Sequence, residues 1–286
     1  MRLVYQNIPE CCFLFSGGVM KYSFTQYLED KNLSKNTISS YAFSLRHFRR
    51  MYHGKFTKST LRRYKMHLLE HYSPQTINLR IRGVNCYLEF IHKETLKLST
   101  VKVQSRNFLE NVISEADYEY FKKKLRKNHI FWYFVVRFLA ATGARVSELI
   151  QIKVEHVELG YLDLYSKGGK IRRLYIPVKL QQEALRWLEM RQIRTGFVFL
   201  NRFGIRITPR GISSQLKQLA TMYGLNTKVV YPHSFRHRFA KNFLAKYNDI
   251  ALLADLMGHE SIETTRIYLR RTSLEQRKIV DSIIDW

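Results

Sequence analysis

The chain has 286 residues, 45% of them hydrophobic, and carries 48 Lys and Arg against 23 Asp and Glu, a formal net charge of +25. A core can form in one large or two medium domains, and the basic excess spread along the chain indicates a polyanionic partner rather than a merely basic solvated surface. Membrane spans are excluded because no apolar run approaches roughly 18 residues, and the spacing of Cys11, Cys12 and Cys86 fits neither a zinc site nor a disulfide framework, which favours a reducing cytoplasm.

The first 20 residues form a predicted N-terminal extension without the pattern of a secretory signal. The letters GGV before Met20 are what a purine-rich ribosome-binding site would encode if it were read in frame. Two hypotheses therefore stay open with equal weight. Either translation starts at Met20 or residues 1–19 are a dispensable extension, or else these residues are an ordinary N-terminal arm.

Helical periodicity dominates the stretch from Phe24 to His92. The segment LSKNTISSYAFSLRHFRRMY places apolar residues three to four apart after Ser34, a candidate N-cap, and SPQTINLRIRGVNCYLEFIHK opens with Ser73 and Pro74, a cap followed by N1 proline. We predict a small basic helical domain over 21–98 and, from the weak patterning that follows, a linker over 99–110.

The second part of the chain combines helices with one short hairpin. Ser114 precedes a helix, and IFWYFVVRFLAATGARVSELIQI predicts an apolar helix that ends at Gly143 before a second helix. VELGYLDLYSKGGKIRRLYIP switches to period-two patterning around a Gly-Gly turn, which predicts a small antiparallel sheet. Helices follow to the end of the chain, with candidate caps at Thr208, Asp249, Ser261 and Ser273.

Several residues of this second part are suited to phosphate chemistry. Arg145 follows a glycine turn, and His233 and Arg236 lie three apart on one helical face. Two arginines and a histidine that meet would neutralise the oxygens of a phosphodiester, because the planar guanidinium forks onto oxygen pairs. Lys167, on the hairpin turn, could reach a leaving oxygen, and Tyr268 is a possible nucleophile. Any one of these residues, taken singly, more often has a structural role. The prediction therefore depends on all of them occurring together.

The segment MGHESIETTRIYLRRT separates His259 from Tyr268 by nine positions. On one continuous helix these side chains would lie on opposite faces, about 13 Å apart along the axis. Gly258 is a good residue to end a helix and Ser261 a good N-cap for the next. We therefore predict a turn at His259, with Tyr268 on the following helix, so that both reach one site.

Four of these segments together resemble the tyrosine recombinase (phage integrase) family. ATGARVSELIQI resembles its first arginine box, YSKGGKIRRLYIP its β-hairpin lysine segment, HSFRHRFA its HxxR box and LMGHESIETTRIY its terminal box, in the family's order. LSKNTISSYAFSLRHF is a weaker match to a core-binding helix. The resemblance implies these catalytic residues: Arg145, Lys167 (with Lys170 as the alternative), His233, Arg236, His259 and Tyr268.

The resemblance also implies a fold: mainly α with a small antiparallel β-sheet, in which a helical core-binding domain and a catalytic domain over 111–272 form a C-shaped clamp on DNA. Phe235 and Arg238 depart from the residues more usual beside the HxxR pair. We expect Phe235 to pack inward and Arg238 to add charge near DNA. Candidate DNA contacts are Lys35, Thr37, Tyr41, Arg80, Arg82, Lys170 and Arg238.

The implied reaction is strand transfer through a covalent 3′-phosphotyrosine. Tyr268 attacks, the arginines and histidines hold the phosphate oxygens, and Lys167 protonates the leaving 5′-oxygen. Because the bond energy is kept, no cofactor is expected, and no carboxylate cluster indicates a metal. Glu148, three residues after Arg145, is expected to orient an arginine.

The last segment, 273–286, is predicted to be an oligomerisation helix. Its apolar stripe is either part of its own domain's core or, as in the family, donated to a neighbouring protomer. We expect a monomer when free and a homo-tetramer on double-stranded DNA with short inverted-repeat crossover sites, acting in the cytoplasm at a prokaryotic nucleoid. The stripe consists of Ile279, Val280, Ile283, Ile284 and Trp286.

Two other functions remain open on the sequence alone. A type IB topoisomerase would use the same residue types to relax supercoils without a partner strand, although the apolar tail and the compact N-terminal domain favour a recombinase. A non-catalytic DNA-binding regulator would need a degraded site, and none of the boxes is degraded. The sequence names neither the DNA site nor the outcome, whether integration, excision, inversion or dimer resolution.

Overall fold

The computed structural model describes residues 11–15, 18–103, 111–165, 171–259, 261–269 and 281–282. The chain divides into two compact units, Met1–Ser105 and Arg106–Trp286. Helices predominate in both, and the described residues of each unit include one antiparallel pair of strands. This confirms the predicted mainly helical fold class with a small sheet. Among the described residues, no helix has both the length and the apolar content to cross a membrane.

The described part of the first unit contains a hairpin and four α-helices, which confirms the helical pattern predicted between 24 and 92. Ser34 caps its helix as predicted, its Oγ accepting from Thr37 N at 3.2 Å, while Ser73 occupies the N-cap position ahead of Pro74. The elements are β1 (Cys11–Phe15), β2 (Gly18–Tyr22), α1 (Phe24–Asp30), α2 (Lys35–Tyr52), α3 (Lys58–His71), α4 (Pro74–Phe90) and a 3₁₀ turn (Glu94–Leu96).

The N-terminal hairpin was not predicted from the sequence. Met20 lies inside β2, opposite Phe13 of β1. A chain that started at Met20 would therefore lack β1 and the whole hairpin, so the two hypotheses about the start of translation predict different N-terminal structures.

Helices α2 and α4 form the centre of the first unit. Gly83 permits this packing, because a Cβ at this position would lie 2.7 Å from the Cβ of Ser44. The apolar stripe of α4 is buried, with each of its residues at most 2% exposed: Ile77, Ile81, Val84 and Leu88. Any side chain at position 83 would force the two helices apart.

Two asparagines of α4 hold the chain that leaves the 3₁₀ turn. Asn78 donates to the Val101 carbonyl at 2.9 Å and accepts from the Val101 amide at 2.8 Å. Asn85, seven residues later on the same face, pairs with Leu98 in the same way. Each asparagine amide therefore makes the paired donor and acceptor bonds that a neighbouring β-strand would make. These bonds hold the first part of the predicted linker along α4.

The second unit contains nine described helices and a hairpin. Its core surrounds the apolar α6, which contacts α5, α9 and α11. The elements are α5 (Glu115–Asn128), α6 (Ile130–Thr142), α7 (Val146–Leu149), α8 (Val154–Leu159), β3 (Tyr161–Tyr165), β4 (Ile171–Tyr175), α9 (Val178–Met190), α10 (Pro209–Met222), α11 (Pro232–Tyr247), α12 (Ile250–Met257) and α13 (Ile262–Arg266).

The predicted helix ends and caps of the second unit are mostly confirmed. Gly143 ends α6 in the left-handed conformation, and the side chains of Ser114, Thr208 and Asp249 each accept a backbone N–H at a helix start. The helix after Gly143 is only the four-residue α7, shorter than predicted, because the chain turns again at Ile150.

The hairpin is also confirmed, with Leu162 opposite Leu174 and Asp163 opposite Arg173. Its connecting residues, 166–170, lie outside the described residues. The predicted leaving-group lysine, Lys167, and its alternative, Lys170, are therefore not described.

The predicted break between His259 and Tyr268 is confirmed. Gly258 ends α12 with φ of 62°, and the Ser261 hydroxyl caps α13, accepting from Glu263 N at 3.3 Å. One detail was wrong: α13 ends at Arg266, so Tyr268 lies in the turn after the helix rather than on it.

The predicted C-terminal helix over 273–286 lies almost wholly outside the described residues, with only positions 281–282 described as helical. The Ser273 cap falls outside them as well. The same holds for the whole apolar stripe: Ile279, Val280, Ile283, Ile284 and Trp286.

Candidate active site

The arginine site, which contains Arg145 and Arg236, lies where two helices each end at a glycine. The last carbonyls of a helix have no partner within the helix, and they carry partial negative charge. Arg236 donates from Nη1 to the Gly143 carbonyl and from Nη2 to the Met257 carbonyl, the latter at 2.6 Å. Arg145 donates to the Gly258 carbonyl at 3.0 Å. The ends of α6 and α12 therefore fix both arginines from the backbone.

Both glycines are required by close packing as well as by positive φ. A Cβ at Gly143 would lie 2.5 Å from the ring of Phe239, and a Cβ at Gly258 would lie 2.6 Å from Cδ of Arg172. The glycines permit the carbonyl groups and the arginines to occupy the same small volume.

Glu148 is the acidic centre of this site. Its carboxylate accepts from Arg145 twice, from the backbone N and from Nη1, both at 2.7 Å, and from Arg172 Nη2 at 2.6 Å. Arg236 Nη1 lies 4.0 Å away. Burial alone would raise the pKa of Glu148, but the charge of Arg172 and the bonds from Arg145 outweigh it and keep that pKa below its usual value.

Arg172 is a site residue that the sequence interpretation missed. Its guanidinium bonds to Glu148 and, at 3.0 Å, to the Leu256 carbonyl. A signal was present, because Arg172 shares a strand face with the inward-facing Leu174 while Arg173 points outward to Asp163. An arginine on the buried face of a strand requires a buried partner, and here that partner is Glu148.

Arg236 is the most buried of the described arginines, with 3% of its surface exposed. Burial and the positive charge of Arg145 lower its pKa to about 10, so the guanidinium is still charged at neutral pH. It combines full charge with fixed geometry, which is what stabilisation of a developing oxyanion requires.

His259 lies in the turn after Gly258 and contacts Arg236. A guanidinium can only donate, so His259 Nε2, at 3.1 Å from Arg236 Nη2, must accept. The ring proton is therefore on Nδ1 and is donated to the buried Thr265 hydroxyl at 2.7 Å. Burial and the charges of Arg236 and Arg145 lower the pKa of His259 to about 4, so this histidine is neutral and holds Arg236.

Tyr268 is buried beside this group, 7% exposed, in an apolar cluster with residues of α11 and α12. Its ring is parallel to that of His259, with centroids 6.5 Å apart. Its hydroxyl lies 2.9 Å from Nδ1 of His237. Burial raises the pKa of Tyr268, against the opposing influence of Arg236.

His237 is the second residue that the sequence interpretation missed. It follows Arg236 directly, and it lies four residues after His233 on the same helical face, with ring centroids 6.3 Å apart. The i, i+4 pair of histidines was the available signal. Desolvation by its surroundings and the nearby charges of Arg236 and Arg145 lower the pKa of His233.

The other face of α11 holds the beginning of the second unit. Ser234 Oγ accepts from the Ile113 amide at 2.8 Å, and Phe235, fully buried as expected, lies against Tyr118. Arg238 pairs with Glu115 and lies 3.9 Å from the centroid of the Tyr118 ring. The structure thus places Arg238 in an ion pair, away from the contacts of the catalytic candidates, and its contact with DNA stays a prediction.

The predicted DNA contacts of the first unit differ in how accessible they are. Lys35 and Arg82 are exposed, whereas Tyr41 is half-buried. The Thr37 hydroxyl is bonded to Ser34 Oγ at 2.8 Å. Arg80 packs its guanidinium 4.1 Å from the centroid of Phe43, so it contributes to the packing of α2 on α4.

An open cleft of roughly 980 Å³ borders the arginine site, between the hairpin and α12. Arg145, Glu148, Arg172 and His259 contribute to its wall. Within the described part of the chain, no three His, Cys, Asp or Glu side chains are grouped as a metal ion would require. With Arg145 and Arg172 in its wall, the cleft offers guanidinium groups suited to an oxyanion.

The chain is similar in sequence to known proteins. The sequence model of the phage integrase family matches residues 109–275. The tyrosine recombinase XerA of Pyrococcus furiosus is 30% identical over 266 residues, covering 90% of this chain and 91% of that protein. The tyrosine recombinase XerD of Listeria monocytogenes is 34% identical over 156 residues, about half of each chain.

Solved structures support the fold. The Tn1549 transposon integrase in complex with transposon right end DNA has a TM-score of 0.70 at 17% identity, over 91% of this chain and 98% of that one. The XerH site-specific recombinase, bound to palindromic difH substrate, has a TM-score of 0.68 at 20% identity, over 91% and 84%.

Proposed function

The chain belongs to the phage integrase family of tyrosine recombinases, and we propose that Tyr268 cuts and rejoins DNA through a covalent 3′-phosphotyrosine. The chain is thus a site-specific recombinase acting on DNA. The observation that supports the proposed site most strongly joins residues as much as 123 positions apart. The ring of Tyr268 lies parallel to that of His259, His259 Nε2 accepts from Arg236, and Arg145 donates to the carbonyl of Gly258, the residue before His259.

In the proposed reaction the phenolic oxygen of Tyr268 attacks the scissile phosphorus. Arg145 and Arg236 hold the non-bridging oxygens, and their guanidinium groups are already oriented by backbone carbonyls. This orientation exists before the substrate binds, so little reorganisation is needed as charge develops. His233, beside them on α11, supports the same charge.

Glu148 and His259 have positioning roles in this proposal. Glu148 fixes Arg145 from two sides and shares its charge with Arg172. His259, whose Nε2 accepts from Arg236, fixes the second arginine. His259 approaches a phosphate oxygen directly only if DNA displaces that bond.

The partner is double-stranded DNA. A net charge of +25 provides the attraction to phosphates, and we propose that the exposed Lys35 and Arg82 contact the backbone. Free protein is monomeric in this proposal, and it acts in the cytoplasm at the nucleoid, where its substrate lies.

The test of this function is covalent capture. A duplex site is first selected from a random-sequence pool by binding to the protein, and a nick is placed beside the cleavage position so that the cut fragment diffuses away. We expect a protein–DNA adduct that survives denaturant, followed by ligation to an added foreign strand. The absence of an adduct would favour a non-catalytic regulator, and an adduct that relaxes supercoils without joining foreign strands would favour a type IB topoisomerase.

Lys167 is proposed to protonate the leaving 5′-oxygen, with Lys170 as the alternative. The Lys167→Ala variant should lose about 10²-fold or more in cleavage rate. A substrate with a 5′-bridging sulfur should restore the rate, because a thiolate leaves without a proton. The Lys170→Ala variant is the matched control, with little change on either substrate; the reverse pattern would assign the role to Lys170.

We also propose that four protomers assemble on paired inverted-repeat sites and exchange their C-terminal tails. The support is the family and the apolar stripe of the tail. A chain ending at Arg277 should form far fewer paired-site complexes while its binding to one site changes by less than about threefold. Gel-shift titration measures both quantities, and an equal loss of both would contradict tail exchange.

A further inference from the structure

The proposed reaction leaves one proton without an acceptor. When the Tyr268 oxygen bonds to phosphorus, its hydrogen must leave, and Arg145 and Arg236 cannot take it because guanidinium groups have no lone pair to accept with. A base in contact with that hydroxyl would complete the site.

The described groups around the Tyr268 hydroxyl leave one such base. His259 is engaged at both ring nitrogens, by Arg236 and by Thr265. His237 places Nδ1 2.9 Å from the hydroxyl oxygen. Among the described residues, His237 is therefore the side chain with a nitrogen directed at the reacting oxygen.

The chemistry of the pair gives the direction of this hydrogen bond. A phenol is a stronger acid than a neutral imidazole N–H, and an imidazole nitrogen is a stronger base than a phenolic oxygen. The favoured arrangement has Tyr268 donating its O–H to Nδ1 while His237 keeps its own hydrogen on Nε2. A neutral ring is required, and burial with the charges of His233 and Arg236 lowers the pKa of His237 to about 4.

We propose that His237 is a further catalytic residue, the base that receives the phenolic proton of Tyr268 during strand cleavage. The inference rests on the proposed function. As the O–P bond forms, the O–H bond breaks and the proton moves to Nδ1, while the electron pair of the P–O5′ bond goes to the leaving oxygen, which Lys167 protonates. Rejoining reverses each transfer, and the imidazolium returns its proton to the phenolate.

Charge around His237 favours this transfer only when DNA is bound. His233 and Arg236 face the ring from its own helix, His259 faces it from the turn after α12, and Tyr268 from the turn after α13. The positive charge of Arg236 opposes an imidazolium at His237 in free protein. A bound phosphate adds negative charge beside them, and the transition state adds more, so the proton is accepted as attack occurs.

The test separates a base from a mere positioning residue. His237→Asn keeps an amide oxygen near the position of Nδ1, which can accept a hydrogen bond but cannot take a proton, whereas His237→Leu removes both functions. We expect both variants to lose about 10²-fold in the rate of adduct formation on the nicked duplex. DNA binding should stay within about twofold, and His156→Asn, a histidine bonded to the Lys153 amide, is the matched control.

The pH dependence of the rate of adduct formation decides whether His237 acts as a base. Without a base, attack depends on the ionised fraction of Tyr268, so the rate of His237→Asn should rise about tenfold per pH unit between pH 7 and 9. The wild-type rate should be nearly flat over that range. Parallel profiles, or an Asn variant within threefold of wild type, would overturn the proposal. A wild-type protein that forms no adduct would instead refute the proposed function, and this inference with it.

Discussion

Replacement of Tyr268 by phenylalanine should abolish the covalent adduct and leave DNA binding intact. The ring remains in its apolar cluster and parallel to His259, so packing is kept. Only the hydroxyl is lost, and with it the nucleophile and one hydrogen bond to His237, worth about 1 kcal/mol of folding stability. We expect the rate of adduct formation to fall by at least about 10³-fold.

The measurement is adduct formation on the nicked duplex, with binding followed by gel shift on the same DNA. Tyr223→Phe is the matched control, because it removes a hydroxyl that bonds to Asn128 rather than to the site. An adduct that survived in Tyr268→Phe would show that a different residue attacks the phosphate.

Replacement of Glu148 by glutamine should be the most destabilising single change at the site. The carboxylate lies between Arg145 and Arg172, with Arg236 at 4.0 Å, and the pKa of Glu148 is lowered, so the folded state holds it charged. Removing one partner of a buried ion pair leaves the other charges uncompensated. We expect the free energy of unfolding to fall by roughly 3 to 5 kcal/mol.

Urea unfolding followed by tryptophan fluorescence measures this change selectively, because all three tryptophans lie in the second unit. Glu119→Gln is the control: it breaks an ion pair with Lys122 in which the glutamate side chain is half exposed, and it should cost less than about 1 kcal/mol. Should Glu148→Gln cost no more than its control, the arginines would be stabilised by the helix-end carbonyls alone.

The sequence alone predicted the features that depend on neighbouring residues. Caps at Ser34, Ser114 and Asp249, the stop at Gly143 and the break at Gly258–Ser261 are local, since each involves side chains and backbone within a few positions. The hairpin of β3 and β4 was predicted in the same way, from the period-two alternation of side-chain types along the sequence. The N-terminal hairpin was missed because its short strands lie almost wholly in the first 20 residues, which were interpreted only as an N-terminal extension.

The grouping of the site was decided by the tertiary structure. Arg172 meets the Leu256 carbonyl across 84 positions, Arg236 meets Gly143 across 93, and His237 meets Tyr268 across 31. No local periodicity encodes such contacts, because they depend on how α6, α11 and α12 pack. The sequence by itself determined the fold class and predicted the candidate catalytic residues. Only the packing of α6, α11 and α12 decided which side-chain nitrogen bonds to which oxygen. The same packing brought His237 to the hydroxyl of Tyr268.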